Sequence, residues 1–317
     1  MTHAATMGGQ TVNWFPSGPP PARCCMGMAY DGATQSTVLF GGQVFNDGIG
    51  TYFGDTWTWQ SGGWLKLSPA NSPSARYSVE MACDGAANNI VLFGGQDNTG
   101  TYLNDTWTWD GTTWTQQSPP VSPPARSTPD STGMVYDAAT QTVVLFGGGD
   151  AAGPLGDTWT WNGVAKTWTQ QNPTASPSAR SAPIAYDAAT QTVLLFGGNG
   201  SSTADEFNDT WTWNGSAWTQ QFPAAAPPAR TSASMTFDTL LGMVVLFGGY
   251  SGNYGDSLND TWIWNGTTWR QIHPATVPHN RYSFGMDYDP VHKALLMFGG
   301  FSSGPALGDT WLLALEP

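Results

Sequence analysis

Val143–Trp161 reads VVLFGGGDAAGPLGDTWTW: an apolar run closing on a Gly pair, a short loop, then Asp-Thr-Trp opening a second run. Both runs are rich in β-branched and aromatic residues and are bounded by turn formers, the composition of strands. The unit occurs six times. Its Gly pairs stand at Gly41-Gly42, Gly94-Gly95, Gly147-Gly148, Gly197-Gly198, Gly248-Gly249 and Gly299-Gly300, spaced by 53, 53, 50, 51 and 51 residues. A period near fifty residues describes a stack of supersecondary units that bury their apolar faces against one another.

Each unit reads as four strands. Strand a follows a Pro-x-x-Arg-like lead-in and ends at an aromatic-Asp pair, as in Ala185-Tyr186-Asp187. Strand b is the Val-Leu-Phe-Gly-Gly run, strand c is Asp-Thr-Trp-Thr-Trp, and strand d carries one more Trp. Strands a and b are joined by Asp-Ala-Ala-Thr-Gln turns. Strands c and d are joined at Asp110-Gly111, Asn162-Gly163, Asn214-Gly215 and Asn265-Gly266, dipeptides suited to the positive φ angles of tight hairpins. No segment carries a 3.6-residue apolar period. The fold class is therefore all-β, and six four-stranded antiparallel units predict a six-bladed propeller.

The chain ends agree with a ring. The last unit stops after strand c at Leu312-Leu313-Ala314, and Thr11-Val12-Asn13-Trp14 supplies the missing strand d, removing the open edges that invite aggregation. The expected organisation is one domain over 1–317, with blades at about 23–67, 76–117, 126–171, 180–221, 230–272, and 281–314 plus 11–15.

These residues resemble the kelch-repeat family. The Gly pair ending strand b, the aromatic before the Asp turn and the Trp of strand d match its pattern in all six repeats, with Phe237 and Cys83 as variants of the aromatic position. The resemblance covers almost the whole chain and implies the propeller fold. It implies no single function, because kelch propellers include protein-binding adaptors, carbohydrate-related enzymes and metal-dependent enzymes. The galactose-oxidase type needs paired Tyr and His copper ligands with a crosslinking Cys, which the four histidines here do not match. The iron-dependent specifier type needs Glu-x3-Asp-x3-His, which is absent.

Composition narrows the partners. Ten Lys and Arg against 23 Asp and Glu give a formal net charge of -13, which disfavours nucleic acid and anionic lipid. No apolar stretch is long enough to span a membrane as a helix. The N-terminus MTHAATMGGQTVNW lacks the basic start and apolar core of a signal peptide, so the chain as written reads as cytoplasmic, or extracellular if a leader has been removed. A monomer is expected. Three cysteines do not make a disulfide framework.

All 17 tryptophans fall on repeat positions, where packing between blades accounts for them. Six of the seven arginines, Arg23, Arg76, Arg126, Arg180, Arg230 and Arg281, stand one at each lead-in, on the same face as the strand-c aspartates Asp55, Asp105, Asp157, Asp209, Asp260 and Asp309. Two uses stay open: a cationic ring receiving an acidic peptide or anionic ligand, as in some kelch adaptors, or one Arg–Asp pair tying each lead-in to strand c. The b–c loops vary in length and carry Tyr52, Phe53, Tyr102, Phe207, Tyr250 and Tyr254. Variable loops on a rigid frame are where binding resides.

Three acids break the strand-a pattern. Glu80 replaces Gly, Pro or Ser, Asp130 lies in an expansion of the third lead-in, and Asp287 replaces Ala, Val or Thr. Glu80 and Asp130, with Tyr77 and Tyr282, would serve acid–base work or cation binding at the channel mouth. Cys24-Cys25 with His279 of the neighbouring blade would suit a soft metal, copper or zinc, although no cofactor is expected. Cys83 ends its strand and at about 3.3 Å per residue sits near the opposite face. The reading is a binding module that takes a peptide or glycan on its b–c and d–a face. A small-molecule enzyme with a carboxylate and Tyr site at the mouth, with or without a metal, is the alternative.

Overall fold

The structure, a computed structural model of the chain, describes residues 6–7, 10–11, 18–46, 49–128, 133–201, 205–252, 256–302 and 304–315. Every regular element it describes is a β-strand. Blade 1 shows the plan: strand a (Gly27–Asp31), b (Ser36–Phe40), c (Thr56–Gln60) and d (Gly63–Leu67) pair in that order, all antiparallel. Blades 2 to 5 repeat it, and strands a, b and c of blade 6 form a three-stranded sheet (Gly285–Asp289, Ala294–Phe298, Thr310–Leu313).

The inner strands of blades 1 to 5, Gly27–Asp31, Glu80–Asp84, Met134–Asp137, Ile184–Asp187 and Ser234–Asp238, each lie beside the next. The sixth, Gly285–Asp289, lies beside both the fifth and the first. The ring therefore closes around a channel, and the chain is a six-bladed propeller. Each blade is covered on both faces, which is why strand b is a continuous apolar run rather than an alternating one. Between blades 6 and 1 the core contains Met28, Leu39, Trp59 and Trp64 together with Leu296 and Phe298.

The Gly pairs stand where strand b meets two lead-ins. Gly41 and Gly42 have φ of 72° and 95°. A Cβ on Gly41 would lie 2.6 Å from the Arg76 carbonyl oxygen, and one on Gly42 would lie 2.6 Å from that of Cys24. Only glycine satisfies both the backbone angle and the close approach. The Gly42 amide donates to the Arg76 carbonyl at 2.9 Å, carrying the contact into blade 2.

One expectation needs adjustment. Gly111, Gly215 and Gly266 take the positive φ expected of their hairpins, but Gly163 does not. Its turn runs on to Thr167 and places the left-handed residue at Lys166 (φ 56°). The strand expected at 11–15 lies largely outside the described residues. Of that segment, Gln10–Thr11 pairs with Thr6–Met7.

Candidate functional site

Because the strands are antiparallel, the b–c loops and d–a connections share one end of the channel, here called the mouth, and the a–b and c–d turns share the other. At the mouth, the residue after each lead-in Arg bridges the residue after each Gly pair: Cys24 to Gln43, Tyr77 to Gln96, Ser127 to Gly149, Ser181 to Asn199, Thr231 to Tyr250 and Tyr282 to Phe301. One residue further on, the backbones link blade to blade. The Ser283 amide donates to Ser232, Cys25 to Ser283, Ser78 to Cys25 and Thr128 to Ser78, at 2.7 to 3.2 Å. Cys25, Ser78, Ser232 and Ser283 hold φ of 50° to 60° there. Non-glycine residues in this region are strained by about 1 kcal/mol or more and concentrate at working parts of proteins.

The bridging pairs are not alike around the ring. Tyr250 stacks on Tyr282 with ring centroids 5.6 Å apart, Tyr282 on Phe301 at 5.7 Å, and Tyr52 on Tyr77 at 5.5 Å. Blades 5, 6, 1 and 2 are consecutive around the closed ring, so these five rings form an aromatic arc on one side of the mouth. Opposite it, blades 3 and 4 present Ser127, Gly149, Ser181 and Asn199. All five rings of the arc are half-buried. The Tyr77 hydroxyl donates to the Gln96 side chain.

The six arginines are placed differently from a ligand-receiving ring. Their side chains are 0 to 2% exposed. Arg230 is typical: Nη1 and Nη2 donate to the two oxygens of Asp260 at 2.6 and 2.8 Å, Nη1 also to the Gly248 carbonyl at 3.0 Å, and Nε to the Pro228 carbonyl at 3.1 Å. The Trp two residues after each aspartate donates its indole N–H to the same carboxylate, at 2.6 to 2.8 Å. Burial pushes the carboxyls of Asp55, Asp105, Asp157, Asp260 and Asp309 up. The Arg hydrogen bonds and charge, with the indole, outweigh it and leave them below the usual range. Phe53 and Phe207 close over Arg23 and Arg180, with the guanidinium carbons 3.8 and 3.6 Å from the ring centres. These guanidiniums and two of the loop aromatics are thus taken up by the frame.

Tyr102 is half-buried and bridges Gln96. Tyr254 and Asp130 lie outside the described residues. Glu80 does not open onto the mouth: it is 2% exposed, and among the described residues neither carboxylate oxygen has a partner at full hydrogen-bond geometry. Burial raises its carboxyl well above the usual range, against the pull of the Gly133 and Met134 amides and the Arg126 charge. Cys24 and Cys25 are buried, whereas His279 is exposed. The structure does not gather these three, and among the described residues no three or more His, Cys, Asp or Glu side chains are placed to hold a metal ion.

A cavity of about 350 Å³ occupies the channel at the opposite, a–b end, and Glu80, Tyr77 and Tyr282 are not part of its wall. It is lined instead by strand-a residues that the repeat pattern marks only as structural, among them Met81, Tyr136 and Tyr186, together with Cys83 and Asp287. Two breaks in the strand-a pattern, Asp287 and Cys83, were the signals in the sequence that pointed there.

A channel ringed by six blades, with its longest and most varied loops at one mouth, defines a β-propeller, a fold that generally serves as an interaction module. The domain model described as KLHDC2/KLHL20/DRC7 Kelch-repeats domain matches residues 27–214, more than half of the 317-residue chain. The chain belongs to the kelch-repeat family. No curated protein matches it.

Proposed function

We propose that this propeller is a binding module that takes a neutral or basic peptide segment across the mouth, seated on the aromatic arc of Tyr52, Tyr77, Tyr250, Tyr282 and Phe301. The arc carries the proposal. Aromatic side chains of this kind give large contact area at low entropic cost, and Tyr adds a hydroxyl for orientation. Charge selects the ligand. The b–c loops and d–a connections contain no Lys or Arg besides the six lead-in arginines, while Asp97, Asp150, Asp205, Glu206 and Asp256 lie in the loops. With all six lead-in arginines already paired to aspartates, an acidic ligand would meet no free guanidinium among them.

A displayed random-peptide library is expected to yield neutral or basic binders. Tyr250→Ala and Tyr52→Ala should weaken the best of them by about tenfold or more, the range of an aromatic hot spot, with thermal stability unchanged. Selection of acidic peptides, or binders indifferent to both substitutions, would overturn the proposal. Binding to a glycan array in place of peptides would favour a carbohydrate ligand on the same arc.

A further inference from the structure

We infer that the a–b end of the channel is a second site, independent of the mouth, for a compact organic cation such as a quaternary ammonium group. The wall of the cavity contains five aromatic side chains, Tyr30, Tyr136, Tyr186, Phe237 and Tyr288, one from strand a of every blade except the second. Blade 2 has Cys83 at that position. Methionine or isoleucine lies two residues earlier on each strand, making the deeper wall apolar. A purely apolar molecule would suit such a wall. The carboxylate set into it changes the specificity.

Asp287 stands where the other five strands carry Ala29, Ala82, Val135, Ala185 and Thr236. Its oxygens are fixed from three blades. Oδ2 accepts the Tyr30 amide of blade 1 at 2.7 Å, and Oδ1 accepts its own Tyr288 amide at 2.7 Å and the Thr236 hydroxyl of blade 5 at 2.9 Å. Asp287 is half-buried and belongs to the cavity wall. No Lys, Arg or His contributes to the lining among the described residues. The nearby ionisable groups, Asp289 on the same strand, Asp31 of blade 1 and Cys83 of blade 2, add no positive charge. His292 and Lys293, in the adjoining turn, are outside the wall, and His292 is held by Asp289.

A fixed carboxylate among aromatic rings, with no protein cation to neutralise it, matches the chemistry that recognises alkylammonium groups. The rings attract the cation through their quadrupoles, and the carboxylate supplies the counter-charge in a partly desolvated site. Three hydrogen bonds occupy part of the lone-pair capacity of Asp287, and a quaternary ammonium asks for no further directed bond. Burial, strengthened by the charge of Asp289, raises the Asp287 carboxyl from its usual range against the pull of the three donors. Cation binding therefore weakens on acidification, when that carboxyl takes a proton.

The test is calorimetric titration of the full chain with choline, alongside its neutral isostere in which carbon replaces the ammonium nitrogen. Choline is expected to bind at least about tenfold more tightly than the isostere, and Asp287→Asn should remove most of that difference. Because Asp287 ties three blades together, its variant can fail to fold. Tyr186→Leu, on blade 4, leaves those bonds in place and should also lower choline affinity. In the unaltered protein, choline should slow alkylation of Cys83, the one cysteine of the three that is not buried and one that lines the cavity. That reaction is run under alkaline conditions, because burial pushes the thiol up to about 11. Equal binding of choline and its isostere, absence of choline binding, or an unprotected Cys83 would each overturn the inference. None of these outcomes bears on peptide binding at the mouth.

Discussion

Glu80 is a buried carboxylate and Asp260 a half-buried one, each near an arginine, and their surroundings push them in opposite directions. Asp260 has a bidentate partner and an indole donor, so its folded-state carboxyl is lowered. Its contribution is present above the unfolded carboxylate value and is lost as pH falls through the lowered one. Glu80 has a guanidinium nearby that is already engaged by Asp157, and only the pull of the Gly133 and Met134 amides to set against its burial. Its carboxyl is raised, so the folded state holds a proton that the unfolded chain has released, and stability falls as pH rises above about 4.3, the unfolded glutamate value. Glu80→Gln removes the titration while keeping the shape. We expect the variant to be more stable than the parent by over about 1 kcal/mol at roughly pH 8, with the gap closing towards pH 4. Urea unfolding at both values measures this. A gap that does not change with pH would mean that Glu80 is ionised in the folded protein.

At the scale of the strand, the indoles of strand d do work the repeat pattern does not reveal. Trp64, Trp114, Trp168, Trp218 and Trp269 each donate to a threonine hydroxyl at 2.9 to 3.0 Å. That threonine is the one in Asp-Thr-Trp, and it belongs to the preceding blade. The sequence shows six equivalent threonines and six equivalent tryptophans, and a periodic chain offers Trp218 the threonine of its own repeat, Thr210, as readily as Thr158. Only the packing of blade on blade chooses. Within a blade the opposite holds: the Arg–Asp pair was legible because lead-in and strand c meet at one end of one sheet. Its burial was not, since it depends on folded backbone carbonyls that take the remaining guanidinium N–H groups, as Pro228 and Gly248 do for Arg230. For the same reason the aromatic positions of strand a read as structural until the ring placed five of them around one cavity. The Thr158–Trp218 bond makes the inter-blade stitch measurable. Thr158→Val leaves a buried indole N–H without its acceptor and should cost about 1–3 kcal/mol. Trp218→Phe, which also removes ring area, should cost more. The double variant should cost less than the sum of the two by roughly 1 kcal/mol, because the second change removes the group orphaned by the first. Additive costs would show that the bond contributes nothing.

For the whole molecule, the decisive contact is the one that turns a row of blades into a ring. Blade 6 already packs on blade 1 through Trp64, which lies against Phe298 with centroids 5.4 Å apart and donates to Thr310. The sheet of blade 6 has three strands among the described residues, and the stitching series is short by one. Thr261 of blade 5 is 1% exposed, and its hydroxyl has no hydrogen-bond partner among the described residues. It is the threonine that the strand-d tryptophan of blade 6 would use, and the remaining tryptophan of the series is Trp14. If residues 11–15 complete blade 6, removing 1–17 deletes an edge strand and a large aromatic together. The melting temperature should then fall by about 5 °C or more, since each kcal/mol is worth roughly 2–4 °C in a domain somewhat smaller than this one. Thr261→Val separates that closure from a general loss of material. It should cost about 1 kcal/mol in the full chain, where it orphans an indole, and close to nothing in the shortened one. An unchanged melting temperature, or a Thr261→Val cost equal in both chains, would mean that the ring is held by the contact between blades 6 and 1 alone.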